Sequence, residues 1–71
     1  MKLYSRNDCP LCEDVEETLL SLNISYIFVD IDLDENLRKN YHTKIPVLVN
    51  LSQQELFWPF DNHQLIEFAK K

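Results

Sequence analysis

The chain carries two cysteines, Cys9 and Cys12, in the run Cys9-Pro10-Leu11-Cys12. A bridge across two intervening residues closes almost no loop, so it would restrict the unfolded chain very little. The pair therefore reads as reversible chemistry and not as a staple. Pro10 stands where helices accept proline, at the first helical position, where its missing N–H costs nothing. Residues three apart on a helix share a face with Cβ atoms ~5–6 Å apart, near enough to join after a small local shift. At the N-cap, Cys9 would face unpaired backbone N–H groups and the positive end of the helix, and both favour the thiolate. Cys12, one turn inside, is more shielded. This assigns Cys9 as nucleophile and Cys12 as resolving thiol. Nearby charge opposes activation: Asp8, Glu13, Asp14, Glu16 and Glu17 all lie within eight residues of Cys9, and Arg6 is the nearest base. Exposed acids act through solvent, whereas the N–H groups touch the sulfur directly, so the direct contacts should win. The expected Cys9 pKa is below the free value of ~8.5 and well above ~3.5, where the most acidic catalytic cysteines lie.

Other uses of these residues fit the sequence less well. Half a zinc site needs two more ligands, and His42 and His63, twenty-one residues apart, lack finger spacing. Both are expected to be ordinary surface residues. The acidic run Asp30, Asp32 and Asp34 has no glycine for the sharp turn of a calcium loop and reads as loop and helix cap. The chain has no glycine at all, which removes every phosphate cradle that depends on close backbone approach. Seven Lys plus Arg against twelve Asp plus Glu gives a net charge of −5, which repels nucleic acid and anionic membranes. The start, Met1 to Arg6, has no apolar run of the kind a signal peptide needs, and nowhere do ~18 apolar residues follow one another, so a cytoplasmic location is expected. At 71 residues the chain is read as one domain, 1–71, and is expected to be a monomer.

The elements that must position the thiols follow from pattern and punctuation. Lys2 to Ser5 reads as a first strand, and Arg6-Asn7-Asp8 as a loop. Leu11, Val15, Leu19 and Leu22 recur at helical spacing, with Glu13, Asp14, Glu16 and Glu17 outside, which predicts an amphipathic helix over 10–22 closed by a left-handed Asn23. Ser25 to Val29 is aromatic and β-branched, hence a largely buried strand. Asp32 or Asp34 caps a short helix through Tyr41. Ile45 to Val49 is a strand with proline at its start, 51–54 a turn and 55–58 a partner strand. Asp61 with Gln64 resembles a capping box, Phe60 can staple against Leu65, and a last helix spans 62–70. The order gives an α/β fold in which a right-handed βαβ unit and a ββα unit form one mixed four-stranded sheet flanked by helices.

Cys-Pro-x-Cys after a first strand, followed by Ile45-Pro46-Val47, resembles the glutaredoxins of the thioredoxin superfamily over essentially the whole chain. The chain looks most similar to short glutaredoxin-like proteins with Cys-Pro-Leu-Cys and Ile-Pro-Val-Leu, the Tyr-Ser-Arg opening and the Val-Asp-Ile-Asp stretch. The resemblance implies a cis Ile45–Pro46 bond, a redox-active disulfide, and a loop facing the cysteines that offers the backbone of Ile45 to an extended substrate. It also implies a substrate-binding role for Arg6 and for Asp61 at the last helix start, with Arg38 or Lys39 as a second carboxylate partner. Two places depart from the family pattern: Leu11 stands where many glutaredoxins have Tyr or Phe, and Trp58-Pro59-Phe60 replaces the glycine pair before the last helix. Read from residues alone, Arg6 is equally a solvated loop charge, and Trp58 a core or rim residue.

The expected function is thiol–disulfide exchange on protein or glutathione mixed disulfides, with no bound cofactor or metal, and glutathione as a candidate reductant or co-substrate. A thioredoxin-fold binding module with little turnover is the rival; the lost glycine pair favours it and the two cysteines oppose it. An iron–sulfur carrier using one cysteine and glutathione is a third reading, weakened by Cys12.

Overall fold

Alternation in Lys2-Leu3-Tyr4-Ser5 turns Leu3 and Ser5 to one side of a strand and Tyr4 to the other. In the computed structural model, which describes residues 1–71, this stretch is β1 (Lys2–Ser5), with Leu3 and Ser5 fully buried. The remaining elements are α1 (Pro10–Ser21), β2 (Ile27–Asp30), a 3₁₀ turn (Ile31–Leu33), α2 (Glu35–Tyr41), β3 (Val47–Val49), β4 (Glu55–Phe57) and α3 (Asn62–Ala69). One sheet of order β2-β1-β3-β4 joins them, with β1 parallel to β2 and antiparallel to β3, and β3 antiparallel to β4. Leu3 stands opposite Phe28 on one side and Leu48 on the other.

The core lies on the Leu3 face. Val15 and Leu19 from α1 and Leu65 and Phe68 from α3 close over Leu3 and Leu48. Fully burying one such side chain contributes roughly 1.5–3 kcal/mol. On the opposite face Tyr4 meets Tyr41 of α2, edge to face with ring centroids 4.9 Å apart. Two helices therefore cover one side of the sheet and α2 the other, which is the mixed α/β architecture expected from the element order.

The caps follow the chemistry of their residues. Asp34 Oδ1 accepts from the N–H groups of Asn36 and Leu37 and starts α2, while Asp30 caps the 3₁₀ turn. Asn23 closes α1 in the left-handed region at φ 57°. Asp61 and Gln64 form a reciprocal capping box on α3, and Phe60 packs against the cluster that contains Leu65. Asn50, buried after β3, holds the following turn: its Oδ1 accepts from Ser52 and Gln54 N–H, and its Nδ2 donates to Gln54 Oε1. None of its sequence neighbours announces that role.

Several expectations need correction. The second strand begins at Ile27, two residues later than expected, and lies at the sheet edge with Ile27 64% and Phe28 40% exposed, so it is not a largely buried strand. Apolar composition cannot distinguish an edge strand from a central one. The third strand starts after Pro46 and not at Ile45. In α1 the inward stripe is Cys12, Val15 and Leu19, whereas Leu11 is 41% exposed.

Candidate active site

The turn after β1, with Asp8 at φ 59°, delivers Cys9 to the head of α1. Cys9 is the N-cap, its backbone extended at φ −113° and ψ 99°. Its carbonyl accepts from Glu13 N–H at 3.0 Å and its Sγ accepts from Cys12 N–H at 3.2 Å. The two cysteines are joined as a disulfide with Cα atoms 5.2 Å apart. Cys9 is half-buried, while Cys12 is 1% exposed beneath the first turn. The Cys12 N–H that meets the disulfide sulfur is placed to meet a thiolate at the same position after reduction, together with the positive end of the helix.

The loop between α2 and β3 shares a groove with Leu11 of the cysteine motif. Tyr41 anchors it three ways: its carbonyl accepts from both Lys44 N–H at 2.8 Å and Ile45 N–H at 3.1 Å, its ring meets Tyr4, and its hydroxyl donates to Glu55 on β4. The Glu55 hydrogen bond, helped by burial, pushes the Tyr41 phenol up to about 12. The Ile45–Pro46 bond is cis, as is Trp58–Pro59. Pro46 is buried. Ile45 N–H is spent on Tyr41, whereas its carbonyl has no hydrogen-bond partner within the chain.

Arg6 is not a free cation. Its guanidinium forks onto Asp32, Nε to Oδ2 at 3.1 Å and a terminal nitrogen to Oδ1. The hydrogen bond from Arg6 holds the Asp32 carboxyl below the usual carboxylate range and raises Arg6 in turn. Arg6 nevertheless lines a shallow polar depression with Arg38, Lys39 and His42, so the basic residues singled out by sequence do converge. Asp61 stands apart from that depression, exposed at the head of α3, with Oδ1 engaged by Gln64 N–H at 2.7 Å.

A larger groove of about 520 Å³ is lined by Leu11, Thr43, Lys44, Ile45, Phe57 and Trp58. It joins the interior of the cysteine motif, through Leu11, to the Ile45 loop and the end of β4. Of these six, the sequence points to Ile45 as a site residue and to Trp58 as core or rim, and assigns Leu11, Thr43, Lys44 and Phe57 to no site. Leu11 fits the apolar period of α1, and the signal that sets it apart is its place inside the cysteine motif, where many glutaredoxins have Tyr or Phe.

The sequence model of the Glutaredoxin-like domain (DUF836) family matches residues 1–70. The chain belongs to the glutaredoxin-like family. Its fold is similar to that in the X-ray structure of the Northeast Structural Genomics target protein XcR50 from X. campestris, at 36% identity and a TM-score of 0.87, covering 97% of this chain and 93% of that one. No match was found among curated proteins. In this glutaredoxin-like chain the Cys9–Cys12 pair fits a thioredoxin-fold redox role. His42 and His63 are exposed, and no three His, Cys, Asp or Glu side chains cluster as metal ligands would.

Proposed function

We propose that the protein is a thiol–disulfide oxidoreductase in which Cys9 attacks and Cys12 resolves. In the reduced protein the Cys9 thiolate attacks a substrate disulfide, forming a mixed disulfide and expelling one substrate thiolate. The Cys12 thiolate then attacks Cys9 Sγ, releasing the second substrate thiol and leaving the Cys9–Cys12 disulfide. The substrate gains two electrons, and an external thiol reductant, with glutathione the candidate, returns the protein to the dithiol. No bound cofactor enters the scheme, and a reducing compartment such as the cytoplasm suits it.

The observation that carries this reading is the asymmetry of the pair at the helix head. Cys9 is half-buried and receives the Cys12 N–H, while Cys12 is 1% exposed and one turn deeper. A substrate disulfide can reach the first sulfur and not the second, and only the first accepts a backbone N–H that can stabilise its thiolate. The Ile45 carbonyl, beside Pro46, would accept an N–H from an extended substrate. The depression formed by Arg6, Arg38, Lys39 and His42 would take a substrate carboxylate, chiefly on Arg38 and Lys39, because Asp32 already occupies Arg6.

The test is turnover. The reduced protein should reduce hydroxyethyl disulfide in the presence of a recycling thiol, and Cys9→Ser should abolish the reaction. Wild-type turnover no faster than that of Cys9→Ser would remove the proposal and leave the binding-module reading.

A further inference from the structure

We infer that the groove of Leu11, Phe57 and Trp58 selects protein disulfides in which an apolar side chain and an acidic one flank the reacting cysteine. Resting on the redox role proposed above, this names the substrate class of the same site. Three observations converge on that occupant. The walls are apolar and open: Leu11 is 41%, Phe57 43% and Trp58 43% exposed. Apolar side chains gathered around one concavity mark a ligand or partner site more often than singly exposed ones do. Charge then narrows the choice. Lys44 is the one charged residue in the lining, neither ion pair of the chain involves it, and its ammonium stands 5.9 Å from the centre of the Phe57 ring. An acidic substrate side chain there would find an unpaired cation beside an apolar wall.

Continuity with the thiols supplies the third observation. Leu11 lies between the two cysteines, and Ile45, whose carbonyl is unpartnered, forms part of the same lining. An extended segment giving one N–H to that carbonyl would run along the groove with its neighbouring side chains over Leu11, Phe57 and Trp58. Glutathione, polar at both ends, would leave these walls wet. A peptide disulfide with an aromatic or aliphatic neighbour would cover them.

The groove holds its own reporter, since Trp58 is the only tryptophan of the chain. Wild-type protein would be titrated with N-acetyl Phe-Cys-Glu amide whose thiol is methylated, so that no exchange chemistry takes part. A saturable blue shift of Trp58 emission is expected, with at least about tenfold weaker binding for the Ser-Cys-Lys peptide. Lys44→Glu should reverse the preference between Phe-Cys-Glu and Phe-Cys-Lys, and Leu11→Ser should weaken both by about tenfold. Both residues are exposed, so neither variant threatens the fold. Equal affinities, or no response of Trp58, would overturn the inference. Hydroxyethyl disulfide turnover by the wild type is measured in parallel. Its failure would refute the redox role, while the titration still decides the groove.

Discussion

Replacing Asp61 with alanine separates a cap from a binding residue. The Asp61 carboxylate accepts from Gln64 N–H at 2.7 Å, and Gln64 Oε1 accepts from Asp61 N–H at 2.9 Å. Alanine removes the first bond and leaves Gln64 Oε1 without the geometry that holds it. The site is exposed, so water replaces the lost partner and the cost stays at the capping value of about 1 kcal/mol instead of that of a buried orphan. Because α3 spans only eight residues and carries Leu65 and Phe68 into the core, fraying at its head is transmitted to the whole domain. For a domain of this size about 1 kcal/mol corresponds to a Tm lower by about 4–8 °C. Asp61→Asn retains an acceptor of nearly equal capping strength and should lose much less. Thermal unfolding of both variants, followed by circular dichroism, provides the comparison. An unchanged Tm for Asp61→Ala would refute the cap. An equal loss for Asp61→Asn would mean that charge at the helix N-terminus stabilises α3, not the hydrogen bond. If Asp61 also contacts substrate, Asp61→Asn should raise KM at unchanged Tm.

Two further predictions concern titration. The Cys9 pKa of the reduced protein, followed by thiolate absorbance, should lie below ~8.5 and above ~3.5, fall further with added salt as the surrounding acids are screened, and change little in Arg6→Ala because Asp32 already neutralises Arg6; a large rise in that variant would show that Arg6 acts on Cys9 after all. Tyr41, held at about 12 by its bond to Glu55, titrates at a higher pH than an unfolded tyrosine at ~10. The stability it contributes should be fully present below pH ~10 and lost as pH rises through the folded value, so urea midpoints of wild type and Tyr41→Phe should differ at neutral pH and converge above it. A constant difference across that window would contradict the assignment.

The parts of the site legible in the sequence are those set by local chemistry. Cys9-Pro10 marks a helix head because a helix accepts proline only in its first turn, and the three-residue spacing to Cys12 follows from the helix repeat. Asp61 and Gln64 announce their cap in the same way. What stayed hidden depends on contacts across the sheet. Nothing near Arg6 in sequence points to Asp32, twenty-six residues away. Tyr41 looks like the end of a short helix, yet it ties β1, β4 and the Ile45 loop together. Leu11 fits the apolar period of α1 and still faces the groove, because the face that the helix buries is the stripe of Cys12, Val15 and Leu19. β2 reads as buried since its residues are apolar, but a strand's place in the sheet order is a tertiary property.

The division of labour between the two thiols is tested most directly by intact mass. Reduced Cys12→Ser and Cys9→Ser proteins would each be mixed with hydroxyethyl disulfide at neutral pH and weighed over time. Rapid, complete addition of one hydroxyethyl thiol to Cys12→Ser, with Cys9→Ser left almost unmodified, is the expected result. Equal rates, or faster addition to Cys9→Ser, would contradict the assignment of Cys9 as the attacking sulfur.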